Sequence, residues 1–284
     1  MTRSTARPVF RHARSITAAL SILLATFAAR GAVAANSSSG SVHAPDFEWS
    51  GTLNAGQTLW IKNVNGSIRA EPSTGKEVQV TAIKTARRSD PSEVRIEVSK
   101  SSDGVAICTL YPTPFGSSPN TCEASDDSHS HSRNNDVVVE YTVHVPAGVQ
   151  FSPQTVNGSV EAIELKGPVH ANTVNGRIRL STLGQAEAQT VNGSIDATVG
   201  SSSWRESLEF QTVNGHIDLS LPENASAEVR ASTVNGDIET DFPLTVHGKI
   251  GRHHIEGSIG KSGGGSLRLE TVNGGIRLHH GSGT

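Results

Sequence analysis

Thr190-Val191-Asn192-Gly193-Ser194-Ile195 is one copy of a phrase that recurs along this chain. Val-Asn-Gly occurs seven times, at Asn65, Asn157, Asn175, Asn192, Asn214, Asn235 and Asn273, and six of the copies read Thr-Val-Asn-Gly. From Asn157 onward the spacings are 18, 17, 22, 21 and 38. The long gap holds a worn copy, His254-Ile255-Glu256-Gly257-Ser258-Ile259, and counting through Glu256 divides 38 into 21 and 17. A period of about twenty residues repeated this often predicts stacked structural units.

The residues around each Asn read as two strands. Three positions after it stand Val160, Ile178, Ile195, Ile217, Ile238 and Ile276, and the next positions alternate outward and inward. Six and four positions before it stand pairs such as Val169 and Ala171, Ala186 and Ala188, or Leu267 and Leu269. The inward positions at −4 and +3 differ by seven, an odd number that a continuous strand cannot accommodate, so the chain turns or bulges within Thr-Val-Asn-Gly. Asn-Gly is the preferred pair of a two-residue hairpin, because both residues tolerate positive φ. A hairpin would expose Val156, Val174, Val191, Val213, Val234 and Val272 alike. A solenoid corner can tuck those valines inward, and stacked identical Thr and Asn side chains can bond as ladders. The expected fold is therefore all-β: a parallel β-solenoid (β-helix) of 17- to 22-residue coils with Asn-Gly corners, preceded by more irregular strands. Aromatic residues at 4% suit a thin aliphatic core. Seven coils about 4.8 Å apart would stack over about 29 Å.

The N-terminus reads as an export signal. Arg3, Arg7, Arg11 and Arg14 precede an apolar run from Ile16 to Ala29, and Ala32-Val33-Ala34 offers small-x-small cleavage after Ala34 or Ala35. The apolar run falls short of the roughly 20 residues that span a bilayer. No transmembrane segment is expected in the mature chain. Removing residues 1–34 leaves 19 basic against 27 acidic side chains, a net charge of −8. That balance argues against nucleic-acid binding, which needs a basic footprint. Periplasm and cell surface are both compatible destinations.

Residues 35–45 are Ser-rich and read as a linker. Residues 46–150 form an N-terminal β region, interrupted by a loop over 111–136 that is rich in Pro, Ser, Asp and His. Residues 151–284 carry the serial repeats, and 46–284 is expected to be one continuous domain. Cys108 and Cys122 fall in the exported part, where thiols oxidise. Their spacing fits neither Cys-x-x-Cys redox chemistry nor a usual zinc pairing, so one disulfide is expected. It would close a 15-residue loop worth roughly 3 kcal/mol.

The order of elements resembles a known group. A Trp60-Ile61 strand carries its own Asn63-Val64-Asn65-Gly66-Ser67-Ile68, a strand ends at Val143-His144-Val145-Pro146, and serial Thr-Val-Asn-Gly-x-Ile units follow. This resembles, over residues 46–280, a bacterial domain-of-unknown-function family labelled "putative adhesin". The resemblance implies a β-solenoid envelope protein without an assigned catalytic site. Glu256 in the repeat and the loop 111–136 depart from the family pattern.

Candidate chemistry is sparse. His129 and His131, with Asp126 and Asp127, could bind a metal, as could His253-His254 and His279-His280. A specific site needs convergent ligands with fixed support, which a loop and two distant pairs do not supply. Asp196, Asp218 and Glu239 form an outward acid row at equivalent positions, where β-helical carbohydrate enzymes hold their carboxylates. Hydrolysis needs a controlled pair, and Arg179 and Arg277 fill the same slot in other coils. No phosphate-binding loop, zinc-protease helix or calcium-roll repeat occurs. The sequence thus predicts no catalytic residue, no metal and no cofactor. It points to an adhesin-like interaction scaffold whose partner is an envelope protein or a glycan. A carbohydrate-binding or carbohydrate-active β-helix and an envelope-sensing partner are the alternatives.

Overall fold

Alternating aliphatic residues make strands throughout the computed structural model, which describes residues 42–43, 47–113, 119–125, 134–204, 207–247, 251–261 and 264–281. The expected signal segment and linker, and His129 and His131, lie outside the described residues. The N-terminal strands are β1 (Val42–His43), β2 (Phe47–Thr52), β3 (Thr58–Lys62), β4 (Ile68–Pro72), β5 (Glu77–Ala86), β6 (Arg95–Lys100), β7 (Gly104–Leu110) and β8 (Val138–Val145). Then come β9 (Gln150–Gln154), β10 (Val160–Leu165), β11 (Val169–Asn172), β12 (Ile178–Thr182), β13 (Ala186–Gln189), β14 (Ile195–Val199), β15 (Leu208–Gln211) and β16 (Ile217–Leu221). The chain closes with β17 (Ala227–Ser232), β18 (Ile238–Thr240), β19 (Leu244–Val246), β20 (His254–Ile259), β21 (Gly265–Glu270) and β22 (Ile276–His280). The described residues contain no α-helix, only a 3-10 turn at Pro91–Glu93, and no helix long and apolar enough to cross a membrane.

Two sheets face each other across an aliphatic core. Strands that follow the motif form one sheet, in the order β1-β5-β8-β4-β10-β12-β14-β16-β22-β18, with β2 also paired to β5. Strands that precede it form the other, β19-β20-β17-β21-β15-β13-β11-β9-β3-β7-β6. The coils pair parallel and in register, so Ile178, Ile195, Ile217 and Ile276 lie against one another in turn. Antiparallel strands close the stack. β6 lies on β7, β5 lies on β8, and β20 lies on β17. Such strands protect parallel edges that would otherwise template pairing with another chain.

The corner explains why the phrase repeats. At each rung the Asn residues form a parallel bridge, and the amide of one donates to the carbonyl oxygen of the next: Asn157 to Asn65, Asn175 to Asn157, Asn192 to Asn175 and Asn214 to Asn192, at 2.8–2.9 Å. None of these Asn residues has positive φ, so the corner is not a hairpin turn. Glycine is required by close approach. A Cβ on Gly193 would stand 1.9 Å from the carbonyl oxygen of Gly176, and one on Gly215 2.0 Å from that of Gly193. The same carbonyls accept the hydroxyl of the next coil's Thr, as Thr190 to Gly176 and Thr212 to Gly193. Thr therefore supplies an internal donor to a part-buried backbone acceptor.

Three expectations need correction. The valines of the phrase do not tuck inward: Val156, Val174, Val191, Val213, Val234 and Val272 are 36–62% exposed, and the buried member is the preceding Thr. Alternation accounts for it. The inward positions −6 and −4 continue to −2, which is Thr, and the odd step falls after it. Secondly, the worn copy is not a coil. His254–Ile259 is β20, antiparallel to both β17 and β19. It has lost both Thr and Asn, the two side chains that bond between rungs. Thirdly, stack order departs from chain order. The last coil, β21/β22, lies between β15/β16 and β17/β18, so the ladder runs Asn192, Asn214, Asn273, Asn235.

Candidate functional site

Exposing the valines creates a groove along one corner. On one bank stand the residues three before each Asn, in stack order Gln154, Asn172, Gln189, Gln211, Glu270 and Ser232, all half-buried. The valines form the other bank, the Thr row lies on the floor between the two, and the Asn ladder follows the valines one position further along each coil. A stretch of about 510 Å³ includes Asn172, Gln189, Val191, Val213, Glu270 and Val272. A second, of about 210 Å³, continues it past Asn172 and Thr173 to Lys62, Val64 and Thr121.

That second stretch is closed by the protein's own loop. Val64 is only 7% exposed, unlike its six equivalents, and lines the same recess as Leu110 and Thr121. Cys108 and Cys122 form a disulfide, with Cα atoms 5.6 Å apart. The bridge holds residues 119–125 over the outer face of β3 and β7. There Trp60, Ala106, Cys108 and Leu110 form a second small core, with Cys122 and Ala124 packed on it. Lys62 Nζ donates to the carbonyls of Glu123 and Ser125. At the loop's return, Asp136 accepts from the amides of Arg88 and Ser89. These bonds hold its carboxyl near about 2. Asn63 occupies the slot that Thr fills elsewhere. Its Nδ2 donates to the carbonyls of Gly66 and Val139, while its Oδ1 is buried with no partner among the described residues.

Each acid of the outward row meets a basic side chain. Arg277 stands between Asp218 and Glu239 because the last coil is inserted there. Glu161 meets Arg69 at 2.6 Å, Asp196 meets Arg177, Asp218 meets His279 at 2.6 Å, and Glu239 meets Arg277 at 3.1 Å. Ser220, His279 and Asp218 converge, but both bonds run to His279 Nε2, at 3.0 and 2.6 Å. A nucleophile relay needs the base and its orienting carboxylate on opposite ring nitrogens, so this cluster does not activate Ser220. On the second sheet, the His170 hydrogen bond to Glu187 lowers that carboxyl against the opposing effect of burial.

His253 and His254 do not assemble with His279 and His280. His253 Nδ1 donates to the Gly236 carbonyl, the acceptor that a Thr hydroxyl fills in the coils before it, and so finishes the corner column. His280 packs on Phe242. No group of three or more metal-ligating side chains occurs among the described residues. Gly260 to Gly264 spells Gly-x-Ser-x-Gly, but a nucleophile elbow is a strand-to-helix turn and strand β21 follows here. Ser262 lies outside the described residues.

Residues 147–279 match the model of a family described as Toastrack DUF4097, the kind of domain-of-unknown-function family to which the Thr-Val-Asn-Gly phrases point. No curated protein matches the chain. Among solved structures, a "putative cell adhesion protein" from Clostridium sporogenes ATCC 15579 is similar with a TM-score of 0.50 at 11% identity. That likeness covers 84% of this chain and 100% of the other. A "putative adhesin" from Bacteroides fragilis NCTC 9343 gives a TM-score of 0.30 at 10% identity, over 82% and 97% of the two chains. At these identities the likeness to the first shows a shared fold and nothing about ligands.

Proposed function

We propose that this chain is an exported, non-enzymatic scaffold of a bacterial envelope that binds a partner along its corner groove, in the manner of an adhesin. One observation carries the reading: six equivalent valines stay exposed in a continuous column beside the Asn ladder. Scattered exposed apolar residues need no explanation, but a contiguous row of them marks an interaction surface. The acids that could have served hydrolysis are each held by a basic neighbour, Asp196 by Arg177, Asp218 by His279 and Glu239 by Arg277. The disulfide agrees with an oxidising compartment. The names carried by the similar proteins point the same way.

The test uses full chain expressed with its N-terminal segment in place and purified from the exported fraction. It is applied to a glycan array and to intact bacterial cells, with reducing-sugar release measured in parallel. Retention without turnover is the expected result. Turnover that disappears in Asp196→Ala or Asp218→Ala would overturn the non-enzymatic reading.

A further inference from the structure

We infer that the groove takes an uncharged, linear glycan lying along the stack, with roughly one sugar ring to each rung; this rests on the scaffold reading above. Dimensions come first. From Val156 to Val234 the valine row spans six rungs, about 24 Å at about 4.8 Å per step, and the bank of −3 residues lies two residues of strand from it, ~6.7 Å. The footprint is a few hundred Å², against the roughly 800 Å² that each partner buries in a stable protein complex. The groove therefore suits a ligand one chain wide rather than a folded partner or a second copy.

Period then separates polymers. An extended peptide presents side chains to one face every ~6.7 Å, which drifts out of step with rungs about 4.8 Å apart. A chain of pyranose rings advances by roughly one ring per rung, so each ring meets the valine of its own rung, and in a β-1,4 chain the ring substituents turn to the two banks alternately. Charge narrows the class further. The bank residues are neutral except Glu270, which is itself paired with Arg268 at 2.8 Å. Neither a polyanion nor a polycation finds a complementary field there.

The available bonds fit hydroxyl and N-acetyl groups. Gln189 and Gln211 each donate one Nε2 hydrogen to Glu187 and Glu209, which leaves the second hydrogen and the Oε1 acceptor of each on the bank. Each interior Asn of the ladder makes one donor and one acceptor bond to its neighbours, so one amide hydrogen and one lone pair remain. Such a site works through repetition. Each rung contributes little without an aromatic platform, and affinity accumulates with ligand length.

Calorimetric titration of the purified full chain with β-1,4-linked N-acetylglucosamine oligomers of two to six residues, and with the matching glucose oligomers, tests this. Affinity is expected to climb with each added ring in at least one series, and V191D/V213D is expected to weaken the hexamer by about tenfold or more. Leu183→Asp removes a still more exposed apolar side chain away from the groove and should change nothing. If V191D/V213D misfolds by thermal melting, Gln189→Ala/Gln211→Ala replaces it with the same expectation. Absence of binding in both series, affinity independent of length, or wild-type affinity in the folded groove variant would overturn the proposal. Should a glycan array retain that variant undiminished, the groove assignment fails while the scaffold reading stands. A chain that binds neither cells nor glycans defeats both.

Discussion

Asn273 donates its amide to Asn214 at 2.8 Å across 59 residues of chain, and Asn235 donates in turn to Asn273. The final coil is thus an interior rung. Strands β17 and β18 pair with β21 and β22, which pair in turn with β15 and β16. The last coil in the sequence holds the end of the stack in place.

Rung position, and not sequence position, should govern the cost of losing an Asn. Asn192 and Asn273 each make two ladder bonds, whereas Asn235 makes one. At about 0.5–1.5 kcal/mol net per bond, Asn192→Ala and Asn273→Ala should each cost about 1–3 kcal/mol, and Asn235→Ala about half that. Urea denaturation of the three variants checks the ranking. Asn273→Ala as mild as Asn235→Ala would count against the insertion.

Gly193→Ala should be far worse than its size suggests. The added methyl would stand 1.9 Å from the Gly176 carbonyl, and backbone on both sides cannot yield without opening the ladder. Gly75 has no atom within 4 Å of the same position, so Gly75→Ala should stay within about 0.5 kcal/mol of wild type. Soluble yield and melting temperature of the two variants make the comparison.

Replacing Cys108 and Cys122 together by Ala should lower stability by about 3 kcal/mol and uncover Trp60, which packs beneath the loop they pin. Tryptophan emission should shift to the red under native conditions. An unchanged spectrum would mean that the loop holds its place without the bridge.

Asp136 makes a prediction about pH. Its carboxyl is held near about 2 against an ordinary 3.8, chiefly by the Ser89 amide. A depressed folded value means the stabilisation is complete above the ordinary value and is lost as pH falls from about 3.8 through about 2. The stability of wild type and Asp136→Asn, measured by denaturation at several acidic pH values, should converge over that window. A constant difference down to the lowest value would exclude the linkage.

The solenoid was legible because parity is strict: inward positions an odd number apart cannot lie on one strand. The same parity, followed one step further, places Thr190 inward and Val191 outward. Burying six valines would break that plain alternation. The loss of coil character at His254–Ile259 was also written in the residues, since neither Thr nor Asn survives there. Rung order was not legible. Asn214, Asn235 and Asn273 stand in the same phrase, and identical corners stack equally well in any order. What selects the order is how the ends are capped, for instance the antiparallel pairing of β20 on β17 and the ring of His280 on Phe242. The groove was missed for a related reason: it exists only once Val and the amide rows of separate coils are stacked.

Cysteine cross-linking reads the rung order most directly. Adjacent rungs stand about 4.8 Å apart, within the 4.4–6.8 Å span of disulfide Cα atoms, whereas rungs two apart stand about 10 Å apart, beyond it. The structure therefore predicts that V213C/V272C oxidises to an intramolecular disulfide and that V213C/V234C does not, as read by mass spectrometry of peptides from the folded chain. A bridge in V213C/V234C with none in V213C/V272C would contradict the inserted coil and restore a stack in sequence order.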